Sequence, residues 1–215
     1  LVDGLVLIDK QKNKIIMDYY NNDGSWETLC LNGLRCASLI LSKKNSTNKI
    51  SIFCNGKLYE TEILDKNMIS VQLSLPNYKM KNIRVNNFLG NYIDVGAKHF
   101  VIQYNNKWPS LNKIKKIAQD IRYNKSIFPK GINVNFYKSI NKHTIEVKTY
   151  EKGIESMMDS CASGSYACAF HHYNQNNRFG KIKVKNIGGI FEIIFDENYM
   201  NNRLIGEAEI EYNDS

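Results

Sequence analysis

The sequence predicts an α+β protein of two pseudo-symmetric halves, each a curved, mostly antiparallel, barrel-like sheet wrapped around a central helix. Two features carry this reading. A thiol followed by a largely apolar run of helical length occurs twice, as Cys30 ahead of Leu34–Leu41 and Cys161 ahead of Ser165–Phe170. Hairpin signals surround both copies, the clearest being Asn55-Gly56 between alternating apolar runs. Two separated copies of one unit mark an internal repeat.

In the first copy a polar turn, Asn21 to Ser25, leads through Glu27-Thr28-Leu29 to Cys30, then Leu31-Asn32-Gly33. Asn32 reads as the helix N-cap, and Gly33 lets the backbone approach a ligand closely. A helix N-terminus offers unpaired N–H groups and a positive dipole end, so the expectation is a carboxylate held beside a thiol of lowered pKa. Cys161-Ala162-Ser163-Gly164 repeats the arrangement. The bland alternative is a pair of small helices with buried Cys and Ala. Cys36, Cys54 and Cys168 read as such small hydrophobes.

Taken in order, Leu5–Ile8 and Lys14–Tyr20 read as strands about a turn at Lys10–Asn13. After the first helix come strands Lys49–Cys54, Lys57–Leu64 and Met68–Leu73, with a boundary near Pro76. Lys79–Asn91 reads as loop-rich. Tyr92–Val95 and His99–Tyr104 are strands around Gly96-Ala97-Lys98. Ser110 is positioned to cap a helix, Leu111–Tyr123, whose stripe of Ile114, Ile117, Ala118 and Ile121 is core-forming. Further hairpins are expected from Asn133–Tyr137 with Thr144–Tyr150, and from Lys181–Lys185 with Gly189–Phe195. A last strand is expected over Glu207–Tyr212. The resulting division is residues 1–76, with 203–215 returning to them, and residues 77–202.

The chain has 215 residues, 43% hydrophobic and 11% aromatic, the composition of a globular protein. Its net charge of +8 comes from scattered lysines without a clustered basic face, which argues against nucleic acid and fits attraction of a small anionic or zwitterionic substrate. No run reaches membrane-spanning length and none resembles a signal peptide. Five cysteines without a secretory signal point to reduced thiols in the cytoplasm. No Cys/His spacing marks a metal site, and His171-His172 read as surface residues. Leu1 in place of an initiator Met reads as a fragment or a processed form.

The motifs Tyr20-Asn21-Asn22-Asp23-Gly24-Ser25 and Glu27-Thr28-Leu29-Cys30-Leu31-Asn32-Gly33-Leu34-Arg35-Cys36 resemble the first cysteine signature of the diaminopimelate epimerase family. Phe128-Pro129-x-Gly131-x-Asn133-Val134-x-Phe136, Tyr150-Glu151-Lys152-Gly153 and Cys161-Ala162-Ser163-Gly164 resemble its later motifs, in order, and Leu204–Ala208 its closing strand. The resemblance implies epimerisation of LL- to meso-diaminopimelate, in the lysine and cell-wall precursor pathway, without pyridoxal phosphate or another cofactor. It assigns Cys30 and Cys161 as the acid/base pair. The backbone at Leu31-Asn32 and Ala162-Ser163 would hold the reacting carboxylate. Asn21, Asn133, Glu151 and Lys152 would meet the rest of the substrate, with His99 and Glu151 tuning the thiols. A homodimer is compatible with this reading. The family also has an opening strand and loop ahead of Leu1.

The chain departs from the family pattern in places. Leu31 and Ala162 replace glycines after the two thiols, Ala97-Lys98 replaces Asn-Pro, and Lys152 replaces Arg. The segment from Glu151 to Cys161 is one residue longer. Arg-to-Lys exchanges a bidentate fork for a point charge, which keeps two alternatives open: racemisation of another amino acid, or a non-catalytic remnant.

Overall fold

Asn55 and Gly56 both adopt positive φ (49° and 72°), the geometry a two-residue hairpin turn demands and few other residues tolerate. The computed structural model describes residues 2–176, 178–198 and 200–211. Within them the chain runs β1 (Gly4–Gln11), β2 (Lys14–Asn21), β3 (Trp26–Glu27), α1 (Leu31–Asn45), β4 (Lys49–Cys54), β5 (Lys57–Asp65), β6 (Met68–Leu73), β7 (Asn77–Val85), β8 (Phe88–Asp94) and β9 (Lys98–Gln103). It continues through α2 (Leu111–Arg122), β10 (Asn133–Asn141), β11 (Thr144–Glu151), β12 (Ser156–Met158), α3 (Ala162–Asn174), β13 (Gly180–Asn186), β14 (Gly189–Phe195) and β15 (Asn202–Glu207). The architecture is the expected α+β one.

The repeat is larger than the thiol and its helix. Strand β2 pairs antiparallel with the short β3, the chain passes through Cys30 into α1, and β4 then pairs parallel to β2 before turning into the β4–β5 hairpin. Strand β11 pairs antiparallel with β12, passes through Cys161 into α3, and β13 pairs parallel to β11 before the β13–β14 hairpin. The closing strand β15 lies antiparallel between β6 and β14, joining strands from both sides of Pro76 in one continuous sheet path.

Both thiol helices bury into one core. Leu34 and Leu39 of α1 and Tyr166, Cys168 and Phe170 of α3 share it with Ile52, Val71, Ile193 and Leu204. A second core lies under α2, where Ile114, Ala118 and Ile121 meet Phe100, Phe128 and Phe136.

Four local expectations are corrected. Lys79–Asn91 is not loop-rich: it carries most of the β7–β8 hairpin, turned by Asn86 at φ 53°. Its polar, mostly exposed β7 lacks the apolar alternation that would announce it, because it lies at the sheet edge. The last strand is Asn202–Glu207, with 208–211 irregular and Tyr212 outside the described residues. Ser110 precedes α2 without a side-chain capping bond. His171 and His172 are buried, because α3 is enclosed on all sides; Tyr78 Oη and Asn91 Nδ2 bond the His171 ring at 2.8 and 3.2 Å.

Candidate active site

Cys30 and Cys161 occupy the same place in their units: each is itself the residue capping its helix. Their backbones are alike and extended, φ −120° and ψ 103° for Cys30, φ −130° and ψ 109° for Cys161. An extended residue immediately before a helix lays its side chain across the open N–H groups of the first turn. Cys30 Sγ accepts from the Gly33 N–H at 3.3 Å, and its carbonyl accepts from Leu34 at 2.9 Å. Cys161 Sγ lies 3.5 Å from Ser163 Oγ, and its carbonyl accepts from Ser165 at 2.9 Å.

Asn32 is therefore not the cap. It sits in the first turn of α1, where its Nδ2 donates to the Ser160 carbonyl at 3.2 Å and its Oδ1 accepts from Arg35. Ser160 precedes Cys161, so this bond ties one helix start to the other and keeps the two sulfurs within electrostatic reach. Leu31 and Ala162, which follow the thiols, are buried in the core. Their side chains point inward while the backbone forms the helix start. That accounts for how residues larger than Gly fit there.

The expected lowering of the thiol pKa does not occur. Burial pushes Cys30 up to about 11, against the opposing effect of the Gly33 and Asn32 N–H groups. Burial pushes Cys161 up further, with the nearby Glu151 charge adding to it. Desolvation of a thiolate outweighs a helix terminus here. Glu151, at the end of β11, is also pushed up by burial, to about 7, while a hydrogen bond with Cys161 works the other way. Of these three groups the carboxyl is the most acidic, and it titrates near neutrality.

Two residues that sequence reading missed complete the surroundings. The Tyr19 hydroxyl hydrogen-bonds Cys30. Arg35 is buried beneath the thiols, donating to the Leu31 and Glu207 carbonyls at 3.1 and 3.3 Å, with its guanidinium 4.8 Å from the Phe191 ring centroid. Its charge interacts favourably with Cys30, Cys36 and Cys161, and burial brings its pKa down to about 10. An Arg in an otherwise apolar helical run was the available signal.

His99 on β9 is buried and neutral, brought down to about 4 by desolvation. Its Nδ1 accepts from Asn135 Nδ2 at 3.0 Å rather than meeting either sulfur. Asn135 Oδ1 in turn accepts from Thr149 at 2.9 Å and lies against Gly164, in the first turn of α3. Asn135 thus links the His99 ring to the first turn of α3.

Beyond the thiols, a cleft of about 260 Å³ is lined by Glu27, Asp94, Ala97, Lys130, Asn133 and Lys152, among others. Asn133 Nδ2 donates to the Lys98 carbonyl at 3.0 Å and its Oδ1 accepts from the Lys152 N–H at 2.8 Å, so it fixes the chain on both sides of the cleft. Lys152 Nζ pairs with Glu27 Oε2 at 3.1 Å. Asn21 Nδ2 donates to Ser25 Oγ at 3.0 Å, while its buried Oδ1 has no partner among the described residues. No helix among the described residues is long and apolar enough to cross a membrane.

Solved structures share this fold. A hydroxyproline epimerase from Agrobacterium vitis superposes with a TM-score of 0.73 over 94% of this chain and 69% of that one, at 9% identity. A probable proline racemase from Agrobacterium radiobacter K84 gives 0.72 over 98% and 76%, also at 9% identity. No family model matches the chain. The sequence aligns at 31% identity with the diaminopimelate epimerase of Aquifex aeolicus over 96% of this chain and 77% of the relative. It aligns at 33% with that of Hydrogenobaculum over 80% of this chain and 65%, just under two thirds, of the relative. The protein is an isomerase of the racemase and epimerase fold. More narrowly, the chain belongs to the diaminopimelate epimerase family.

Proposed function

We propose that this protein epimerises diaminopimelate by a two-thiol acid/base mechanism, with Cys30 and Cys161 as the proton carriers. The observation that carries the proposal is the pair of N-cap thiols, one on each helix start, joined by the Asn32 to Ser160 bond.

Inverting a carbon atom means removing a weakly acidic α-proton from one face and returning one to the other. That needs a base on one side and an acid on the other. As the proton leaves, charge flows into the α-carboxylate, where N–H groups at the starts of α1 and α3 stabilise it more in the transition state than in the ground state. The elevated thiol pKa values fit this task, because a buried thiolate is a strong base for a carbon acid. Glu151 is the one of these groups that changes charge near neutral pH, and its hydrogen bond with Cys161 holds that thiol in place. Arg35 supplies the positive charge against which a thiolate can form.

The reaction needs free thiols, and all five cysteines are free; we accordingly place the protein in a reducing cytoplasm. The test is α-hydrogen exchange of LL-diaminopimelate in deuterated water. The full-length wild type should exchange and epimerise, whereas Cys30→Ala and Cys161→Ala should each lose epimerisation. Retention of epimerisation in either variant would remove that thiol from the mechanism.

A further inference from the structure

The cleft lined by Glu27 and Lys152, close in sequence to Cys30 and Glu151, holds an ion pair that reaches across it. Glu27 lies on β3, three residues before Cys30, and Lys152 follows Glu151 at the end of β11. The Glu27 carboxylate is fixed in place: Oε1 accepts from the Thr28 N–H at 2.9 Å, and the Thr28 hydroxyl donates to the Gly96 carbonyl at 3.0 Å. Its other oxygen, Oε2, carries Lys152 at 3.1 Å. The other carboxylate lining the cleft, Asp94, is already engaged by Lys79 and the Gly96 N–H. Of the two carboxylates, Glu27 is therefore the one whose ion-pair partner is itself a cleft residue. Nearby, the buried Asn21 Oδ1 is a second acceptor without a partner among the described residues.

We propose that the Glu27–Lys152 pair is the specificity device of the site, opening to receive the distal amino-acid head of the substrate. Lys152 takes the distal carboxylate and Glu27 takes the distal ammonium. The inference rests on the diaminopimelate reading above and assigns Glu27 a role within it. A zwitterionic head exchanges one ion pair for two. A substrate with only a distal carboxylate draws off Lys152 and leaves the Glu27 charge unpaired in a half-buried cleft, an arrangement that disfavours it. A small amino acid without a distal group leaves the pair closed.

The test compares diaminopimelate with 2-aminopimelate, which has the same carbon chain and both carboxylates but lacks the distal ammonium. The assay is α-hydrogen exchange by the full-length protein, with thermal unfolding as the folding control. Wild type should prefer diaminopimelate. Glu27→Gln should lower its kcat/KM by about ten- to a hundredfold, the size of a lost charge-assisted hydrogen bond, with the loss in KM rather than kcat. The same variant should leave exchange of 2-aminopimelate unchanged or raise it, and Glu27→Asp should recover part of the preference. An equal loss for both compounds, or no change for either, in a folded variant would overturn the Glu27 role alone. A wild type that exchanges neither compound would overturn the diaminopimelate reading and the Glu27 role with it.

Discussion

Glu151 is the residue whose chemistry is changed most usefully by its place in the fold. Its folded-state pKa of about 7 lies above the ordinary 4.5 because burial penalises the carboxylate. The sign of the consequence follows from linkage. Below pH 4.5 both folded and unfolded states hold the proton, and the group costs nothing. Between 4.5 and 7 the unfolded chain ionises first, so stability falls as pH rises, by on the order of 3 kcal/mol once both states are ionised. Glu151→Gln should match wild type near pH 4 and exceed it in stability by roughly that amount at pH 8, while losing most of its activity. Denaturant unfolding across that pH range checks it; a constant difference between the two proteins would show that Glu151 is not titrating as described. His99 runs the opposite way. Its depressed pKa of about 4 contributes stability above pH 6.5 that is lost as pH falls through 4.

At the scale of the element, the thiol is also the helix cap. Capping and the proposed proton transfer thus fall on one atom, Cys30 Sγ, and a substitution can separate them. Serine is among the preferred N-cap residues, so Cys30→Ser should keep α1 and hold stability within about 1 kcal/mol of wild type. Its hydroxyl, far less acidic than a thiol, should slow exchange severely. Measured side by side, circular dichroism melting and deuterium exchange should therefore diverge. A variant that loses both together would mean that the sulfur's structural role dominates.

In the whole molecule, Arg35 connects parts that are far apart in sequence. From within α1 it reaches the Glu207 carbonyl on the closing strand, the Phe191 ring on β14 and, through Asn32, the start of α3. Arg35→Met keeps much of the volume but leaves buried carbonyls without their donor, a loss of roughly 2–3 kcal/mol. It also removes the buried positive charge near both sulfurs, so thiol alkylation should shift to higher pH as well. Destabilisation without a shift in the alkylation profile would make Arg35 purely a structural tie.

The sequence by itself determined the units: two thiols ahead of two helices, the Asn55-Gly56 hairpin, the apolar stripe of α2 and the family motifs. These are set by local chemistry, by turn residues that accept positive φ and by periodicities that a helix or strand imposes within a few residues. The same local reading misplaced the cap at Asn32, because a thiol's ability to cap depends on the extended backbone at Cys30 rather than on residue type. It missed β7, whose edge position leaves it polar, and it put His171 and His172 at the surface, since the enclosure of α3 by distant strands has no local signature. It also predicted acidic thiols, because helix N–H groups are a local feature whereas burial is not. Only the tertiary structure decided that desolvation prevails at Cys30 and Cys161, that Glu151 carries the group titrating near neutrality, and that Glu27 meets Lys152 across the cleft, because each depends on segments brought together from opposite ends of the chain.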